Sequence, residues 1–276
     1  LHKAIRRQRQ MCIRDREKYP TKQSVYRELI NLNAIMNLPK GTEHFMSDLH
    51  GEYDAFYHII NNCSGVIKEK VAMLYGDELT VFEQQELCTL IYYPREKLSK
   101  LMDENKVNDE WYRNVLNQLI QIAKLLSSKY TRSKVRKAMP VDFAYIIDEL
   151  IHAQKDEDDN RSVYHRQIME TILSLHNGDE FLVALTDLIK RLAVDHLHIL
   201  GDIYDRGPHA DKILDLLMEH HSVDIQWGNH DILWMGAFCG NPVCMALVVR
   251  NNIKYKTMSI LENGYGISLR FLLQFA

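Results

Sequence analysis

From residue 21 onward the chain alternates between two hydrophobic rhythms. Val25, Leu29, Leu32 and Met36 recur at helical spacing, and Pro39-Lys40-Gly41 ends that helix. Residues 42–47 read as a short strand. Tyr53, Phe56, Tyr57 and Ile60 then fall at i, i+3, i+4 and i+7, so a helix begins just past Asp48-Leu49-His50-Gly51. The same grammar returns twice. Residues 197–200 predict a strand, Gly201-Asp202-Ile203-Tyr204-Asp205-Arg206-Gly207 a turn, and Ala210, Ile213, Leu214 and Leu217 one face of a helix. Residues 223–227 predict a third strand, Gly228-Asn229-His230-Asp231 its turn, and residues 232–238 the helix after it. Polar clusters just past strand ends in βα units are where open α/β sheets place their sites.

About 150 residues separate the first two turns, and nearly all carry a helical rhythm. Trp111, Val115, Leu119, Ile122 and Leu126 form one stripe. Phe143, Ile146, Ile147 and Leu150 form a second, and Leu182, Leu185, Ile189 and Leu192 a third. Residues 155–161 are a polar, acidic connector. The segment is too long for one crossover connection. The expected division is therefore an α/β core in two parts, residues 17–60 and 194–276, with a helical insertion over 61–193. Residues 1–16, rich in Arg and Gln, lack an apolar stripe. They resemble translated sequencing-adapter read-through and are set aside as a non-native tail, the plainer alternative being a disordered basic one.

Composition narrows the classes. The 276 residues, 46% hydrophobic, suffice for one large domain or two small ones, and a net charge of -3 implies no bulk attraction to nucleic acid or anionic membranes. No apolar run approaches the ~18 residues of a membrane span, and no secretory signal is visible. Five cysteines (Cys12, Cys63, Cys88, Cys239, Cys244) stand at scattered spacings without Cys-x-x-Cys. A disulfide framework is not expected, and a reducing, cytoplasmic setting fits best.

The three turns carry the chemistry. Asp48 and His50 lie two apart on extended chain, so they share a face and can share one metal; alone, Asp-x-His is a common pairing. Asp202 follows a glycine at a strand end, where a carboxylate can bridge two cations ~3.5–4 Å apart. Asp205 and Arg206 follow, and the guanidinium fork matches two phosphoryl oxygens. The Asn229 amide oxygen can complete a second metal's shell. His230 can protonate a leaving alkoxide if a carboxylate orients it, and Asp205 is the candidate. Two cations that activate water, with Arg206 on the phosphoryl oxygens, make this a phosphate-ester hydrolase pattern.

At these residues the chain resembles the calcineurin-type metallophosphatase superfamily. Residues 38–52 (Leu38-Pro39-Lys40-Gly41-Thr42-Glu43-His44-Phe45-Met46-Ser47-Asp48-Leu49-His50-Gly51-Glu52), 127–138 and 223–236 are similar to class 3 fructose-1,6-bisphosphatases of Firmicutes-type bacteria. The likeness runs from about residue 17 to the end. Its most family-specific part is the helical insertion, which the superfamily's protein phosphatases lack. The resemblance implies two stacked mixed sheets flanked by helices, the second incomplete here. It implies hydrolysis of a sugar bisphosphate, fructose 1,6-bisphosphate, to fructose 6-phosphate and phosphate in gluconeogenesis, with manganese as the metal. Carried over, Asp48, His50 and Asp202 hold the first metal, Asp202 and Asn229 the second, and His230 donates the proton.

Two departures qualify it. The superfamily completes its metal shell with downstream histidines, and no histidine follows His230; class 3 members are also more than twice this length. The expectation is an N-terminal fragment that binds the second metal poorly and turns over little. Rival readings are a related metallophosphatase acting on phosphoproteins or dinucleoside polyphosphates, which the insertion argues against, and an inactive fragment that only binds or assembles. The cations Lys129, Arg132, Lys134, Arg136 and Lys137 read as a solvated helical face ahead of a phosphate site, and nucleic acid is not an expected partner. His196 and His198 read as structural, with His198 near enough to serve a second shell. His220 and His221 read as imidazolium groups at a helix end. A homo-oligomer stays open.

Overall fold

The computed structural model describes residues 11–153 and 159–275. Helix α1 covers residues 11–18, so part of the basic tail is helical despite lacking an apolar stripe. Then come α2 (Lys22–Ile35), β1 (Glu43–Met46), α3 (Tyr53–Asn62), α4 (Val66–Tyr75), α5 (Val81–Tyr92), α6 (Pro94–Asp103), α7 (Asp109–Ser127), α8 (Arg132–Ala138), α9 (Ala144–His152), α10 (Asp159–Ser174) and α11 (Gly178–Ala193). After them run β2 (His196–Ile199), α12 (Ala210–Glu219), β3 (Val223–Ile225), α13 (Asn229–Phe238), α14 (Pro242–Tyr255) and α15 (Arg270–Phe275).

The strands form one sheet in the order β1-β2-β3, with Glu43 paired to His196, Phe45 to His198, and His198 to Asp224. Both pairings are parallel, so among the described residues the sheet is not mixed as expected. Each strand is reached from the last by a helical crossover, and such a crossover returns the chain in the same direction.

Local chemistry explains the helix starts. Thr80 and Glu83 cap each other to open α5, Asn108 accepts the Trp111 amide to open α7, and Thr131 accepts the Lys134 amide to open α8. The connector expected over 155–161 ends early: residues 159–161 already belong to α10, while 154–158 lie outside the described residues.

Apolar side chains gather in two clusters. One runs from Cys63 to Val194 and is drawn almost entirely from helices, with Leu116, Leu119, Ile122, Phe181 and Leu185 fully buried. The stripes on α7 and α11 face each other there, and each such side chain contributes ~1.5–3 kcal/mol by leaving water. The other cluster holds Phe56, Leu197, Ile199, Ile203, Ala210, Ile213, Leu217, Val248, Ile260, Leu261 and Leu269, packed around the sheet. Helix α2 differs. Its stripe makes a helix but buries nothing: Leu29 is 57% exposed, and Met36 caps the end. Spacing fixes a helix, not what covers it.

The basic run on and before α8 has mostly local partners. Lys134 pairs with Asp195 at the foot of β2 at 2.5 Å, Arg136 lies 3.6 Å from Asp148, and Arg132 Nε donates to His152 Nε2 at 3.0 Å. Lys134 and Arg136 remain half or more exposed, as a solvated face requires. His220 departs from the imidazolium expectation. Burial, then the neighbouring His221, pushes it down to about 4, so it is neutral near neutral pH. Burial lowers His221 as well.

Candidate active site

Each of the three polar turns leaves the end of one parallel strand, so all three meet at one sheet edge. Their backbones interlock. The Asp48 amide donates to the Gly201 carbonyl at 3.3 Å, His50 to Asp202 at 2.8 Å and Gly51 to Ile203 at 2.8 Å, while the Gly207 amide returns to the His50 carbonyl. Gly51 has φ +73°, and a Cβ there would strike the Gly207 backbone. That approach requires glycine on both sides.

Asp231 fastens the third turn to the second. Its carboxylate is 6% exposed and accepts four backbone amides: Asp202 at 2.7 Å, Gly228 at 2.8 Å, Ile203 at 2.9 Å and Tyr204 at 3.2 Å. Four side chains nearby sit on left-handed backbone, Asp48 (φ 56°), His50 (46°), Asp202 (54°) and Asp205 (139°). Asp48 and His50 therefore lie past the end of β1 in a turn and not on the extended chain expected of them. Non-glycine residues persist on left-handed backbone at ~1–3 kcal/mol each only when their surroundings over-determine them, which is common at functional sites.

Asp205 stands at the centre, its side chain 1% exposed. Its Oδ1 lies 3.4 Å from His230 Nδ1 and has no hydrogen-bond partner. Its Oδ2 accepts from Arg206 Nε at 3.1 Å and lies 3.9 Å from His50 Nδ1. The His230 amide donates to Asp202 Oδ1 at 3.3 Å, and the His50 and His230 rings meet edge to face at 6.3 Å. Arg206 is 64% exposed, with its guanidinium in solvent.

The His50 ring is held from both of its nitrogens. Its Nδ1 lies 3.3 Å from the Tyr204 carbonyl, which can only accept, so that contact assigns the ring proton to Nδ1. Nε2 lies 3.5 Å from Asp48 Oδ1. A carbonyl fixing the far ring nitrogen is the usual support for a ligating histidine. The donor set of carboxylates, amide and imidazole suits a hard or borderline divalent cation. Asn229 opens α13 in the same turn.

Asp48, His50 and Asp202 do not close to ligand spacing in this arrangement. Among the described residues, the group of three whose candidate ligand atoms all lie within 4.8 Å of one another is His196, His198 and Asp224. Beside the second turn, Tyr204 stacks on Trp234 at 4.4 Å and shares a hydrogen bond with Tyr265. These three line an apolar cavity of about 600 Å³ with Val248 and Leu261. Its walls are almost wholly apolar and would not repay the desolvation of a charged ligand, so the polar turns, not the cavity, are the candidate site.

The sequence profile describing the Firmicute fructose-1,6-bisphosphatase matches residues 14–276. The chain belongs to that family. A class 3 fructose-1,6-bisphosphatase of Clostridium beijerinckii is 55% identical over 260 residues, which cover 94% of this chain and 39% of the relative. The class 3 enzyme of Listeria innocua is also 55% identical, over 94% of this chain and 40% of its own length. That of Bacteroides fragilis is 52% identical over 258 residues, 94% of this chain and 39% of the relative. The family member thus spans about two fifths of the length of these relatives. No solved structure matches it. No described helix is long and apolar enough to cross a membrane.

Two features escaped the sequence. Asp231 stands in the third motif, yet its role as a backbone clamp depends on distant turns meeting, as the Asp202–Asp231 bond does across 29 residues. The His196–His198–Asp224 group was within reach: alternation puts both histidines on one strand face, and the register sets Asp224 beside His198.

Proposed function

We propose that the turns at 48–51, 201–207 and 228–231 form a divalent-metal phosphomonoesterase site that converts fructose 1,6-bisphosphate and water to fructose 6-phosphate and phosphate, a gluconeogenic step. The family membership supports the substrate. The single observation that carries the chemistry is Asp205, buried between His50, His230 and Arg206. In this reading residues 17–60 and 194–276 form a calcineurin-like metallophosphatase core, and 61–193 is a helical insertion with its own apolar cluster.

Asp48, His50 and Asp202 would hold one cation, and Asp202 with Asn229 a second, manganese being the favoured ion. When bound, the cations supply Lewis acidity toward water and the phosphoryl group. Arg206, oriented by Asp205 through Nε, offers its remaining N–H groups to the phosphoryl oxygens. Asp205 facing His230 Nδ1 stabilises the imidazolium, so His230 Nε2 can give a proton to the departing alkoxide. Asp231 holds these groups in register without touching substrate.

The test is phosphate release from fructose 1,6-bisphosphate, a phosphoserine peptide and a dinucleoside polyphosphate, with Mn²⁺ and with chelator. Mn²⁺-dependent release from the sugar bisphosphate ahead of the other two is the expected result. Preference for either rival substrate would move the family member to another metallophosphatase activity.

A further inference from the structure

We propose that His196, His198 and Asp224 form a second metal site, for one divalent transition ion of the zinc class, on the face of the sheet opposite Leu197 and Ile199. The site shares no residue with the phosphatase turns and stands independently of that function.

Both histidines lie on β2, two residues apart, so they project from one face, and Asp224 comes from the neighbouring β3. His196 Nε2 lies 3.3 Å from Asp224 Oδ2, and His198 Nδ1 lies 2.9 Å from Asp224 Oδ1. A tetrahedral ion with Zn–N and Zn–O bonds of ~2.0–2.2 Å separates its ligand atoms by about 3.3 Å. Both imidazole–carboxylate separations are near that spacing, and donor atoms of all three residues lie within 4.8 Å of one another, so a short adjustment would close them on an ion.

The far ring nitrogens are supported as well. His196 Nδ1 meets Ser222 Oγ at 2.6 Å, which orients the ring and leaves Nε2 toward Asp224. His198 Nε2 is buried without a hydrogen-bond partner, and the nearest acid, Glu43 Oε2, lies 3.8 Å away. Were Nδ1 to bind an ion, Nε2 would carry the proton and face that carboxylate, the carboxylate–histidine arrangement of bound metals. Phe45 stacks on His198 at 4.3 Å and 13°, which holds the ring plane. Asp224 is 51% exposed, so solvent reaches the remaining coordination positions.

Two imidazoles and one carboxylate favour Zn²⁺, Co²⁺ or Ni²⁺ over Mn²⁺ or Mg²⁺, which prefer oxygen. A bound ion would clip β2 to β3 at mid-strand. The plain rival is a hydrogen-bonded His–Asp–His chain that binds nothing.

Equilibrium dialysis of the chain against Zn²⁺ separates the two. One equivalent beyond any held by the phosphatase turns is expected to bind, counted in the Asp48→Asn/Asp202→Asn double variant. Its affinity should fall at least tenfold in Asp224→Asn and His198→Gln, fall less in Ser222→Ala, and persist in the Asp48→Asn/Asp202→Asn double variant. No bound Zn²⁺ at millimolar concentration, or affinity unchanged in Asp224→Asn, would overturn the proposal. Loss in the double variant but not in Asp224→Asn would assign the ion to the phosphatase turns and overturn it equally. Asp224 is half exposed, so its variant decides even if His198→Gln fails to fold, with circular dichroism checking the fold.

Discussion

The Asp231 carboxylate accepts the Asp202 amide at 2.7 Å, and its other bonds reach Gly228, Ile203 and Tyr204. One buried acid thereby fixes the geometry of the turn that carries the proposed catalytic side chains. Asp231→Asn turns an amide toward backbone donors and removes the charge that strengthened the bonds. Chemical denaturation should register a loss of ~2–4 kcal/mol. A change under about 0.5 kcal/mol would mean the clamp is dispensable.

Asp205 positions two catalytic candidates at once. Asp205→Ala leaves Arg206 and His230 in place but unoriented, and turnover of the sugar bisphosphate should fall ~10²-fold, with His230→Ala falling ~10²–10⁴-fold. Because both act on one step, the double variant should lose much less than the product of the single losses. Steady-state kinetics checks this, and multiplicative losses would separate the two residues.

Gly201 has φ +93°, and a Cβ there would press into the Gly228 backbone. Gly201→Ala therefore combines strain with collision and should destabilise by at least ~1–3 kcal/mol. Gly240, also at positive φ (+85°) but with no neighbour within 4 Å of a Cβ, should show only the strain. Parallel thermal melts should rank the first variant below the second.

His220 makes stability depend on pH. Its folded value of about 4 lies below the 6.5 of the unfolded chain, so between these values the unfolded state binds the extra proton. Stability is complete above pH 6.5 and declines as pH falls toward 4. The group is partly solvated, which limits the change to about 2 kcal/mol. Denaturation across pH 4–7 should give a slope that flattens in His220→Gln, and equal slopes would remove His220 as its source.

The strands, the helices beside the turns and the stripes of α7 and α11 were legible because apolar periodicity reports a buried face directly. Leu119 and Leu185 sit where their spacing predicts. The stripe of α2 predicts its helix but not its burial, because Leu29 and Leu32 encode amphipathicity without naming a partner. The chemistry of the turns was legible as residue types. The Asp205–His230 pairing named from the sequence is met at 3.4 Å, whereas the Asp231–Asp202 contact was not legible, since it depends on how closely the loops approach. The charge state of His220 was hidden for the same reason: sequence placed it at a helix end, where a dipole favours the cation, and burial proved the larger effect.

Mn²⁺ binding measured on the chain and on Asp48→Asn and Asp202→Asn, with Asp224→Asn as control, addresses the central claim most directly. Convergence of the turns on a cation site predicts at least a tenfold loss of Mn²⁺ affinity in the first two variants and none in the control. Equal affinity in all four proteins would contradict it.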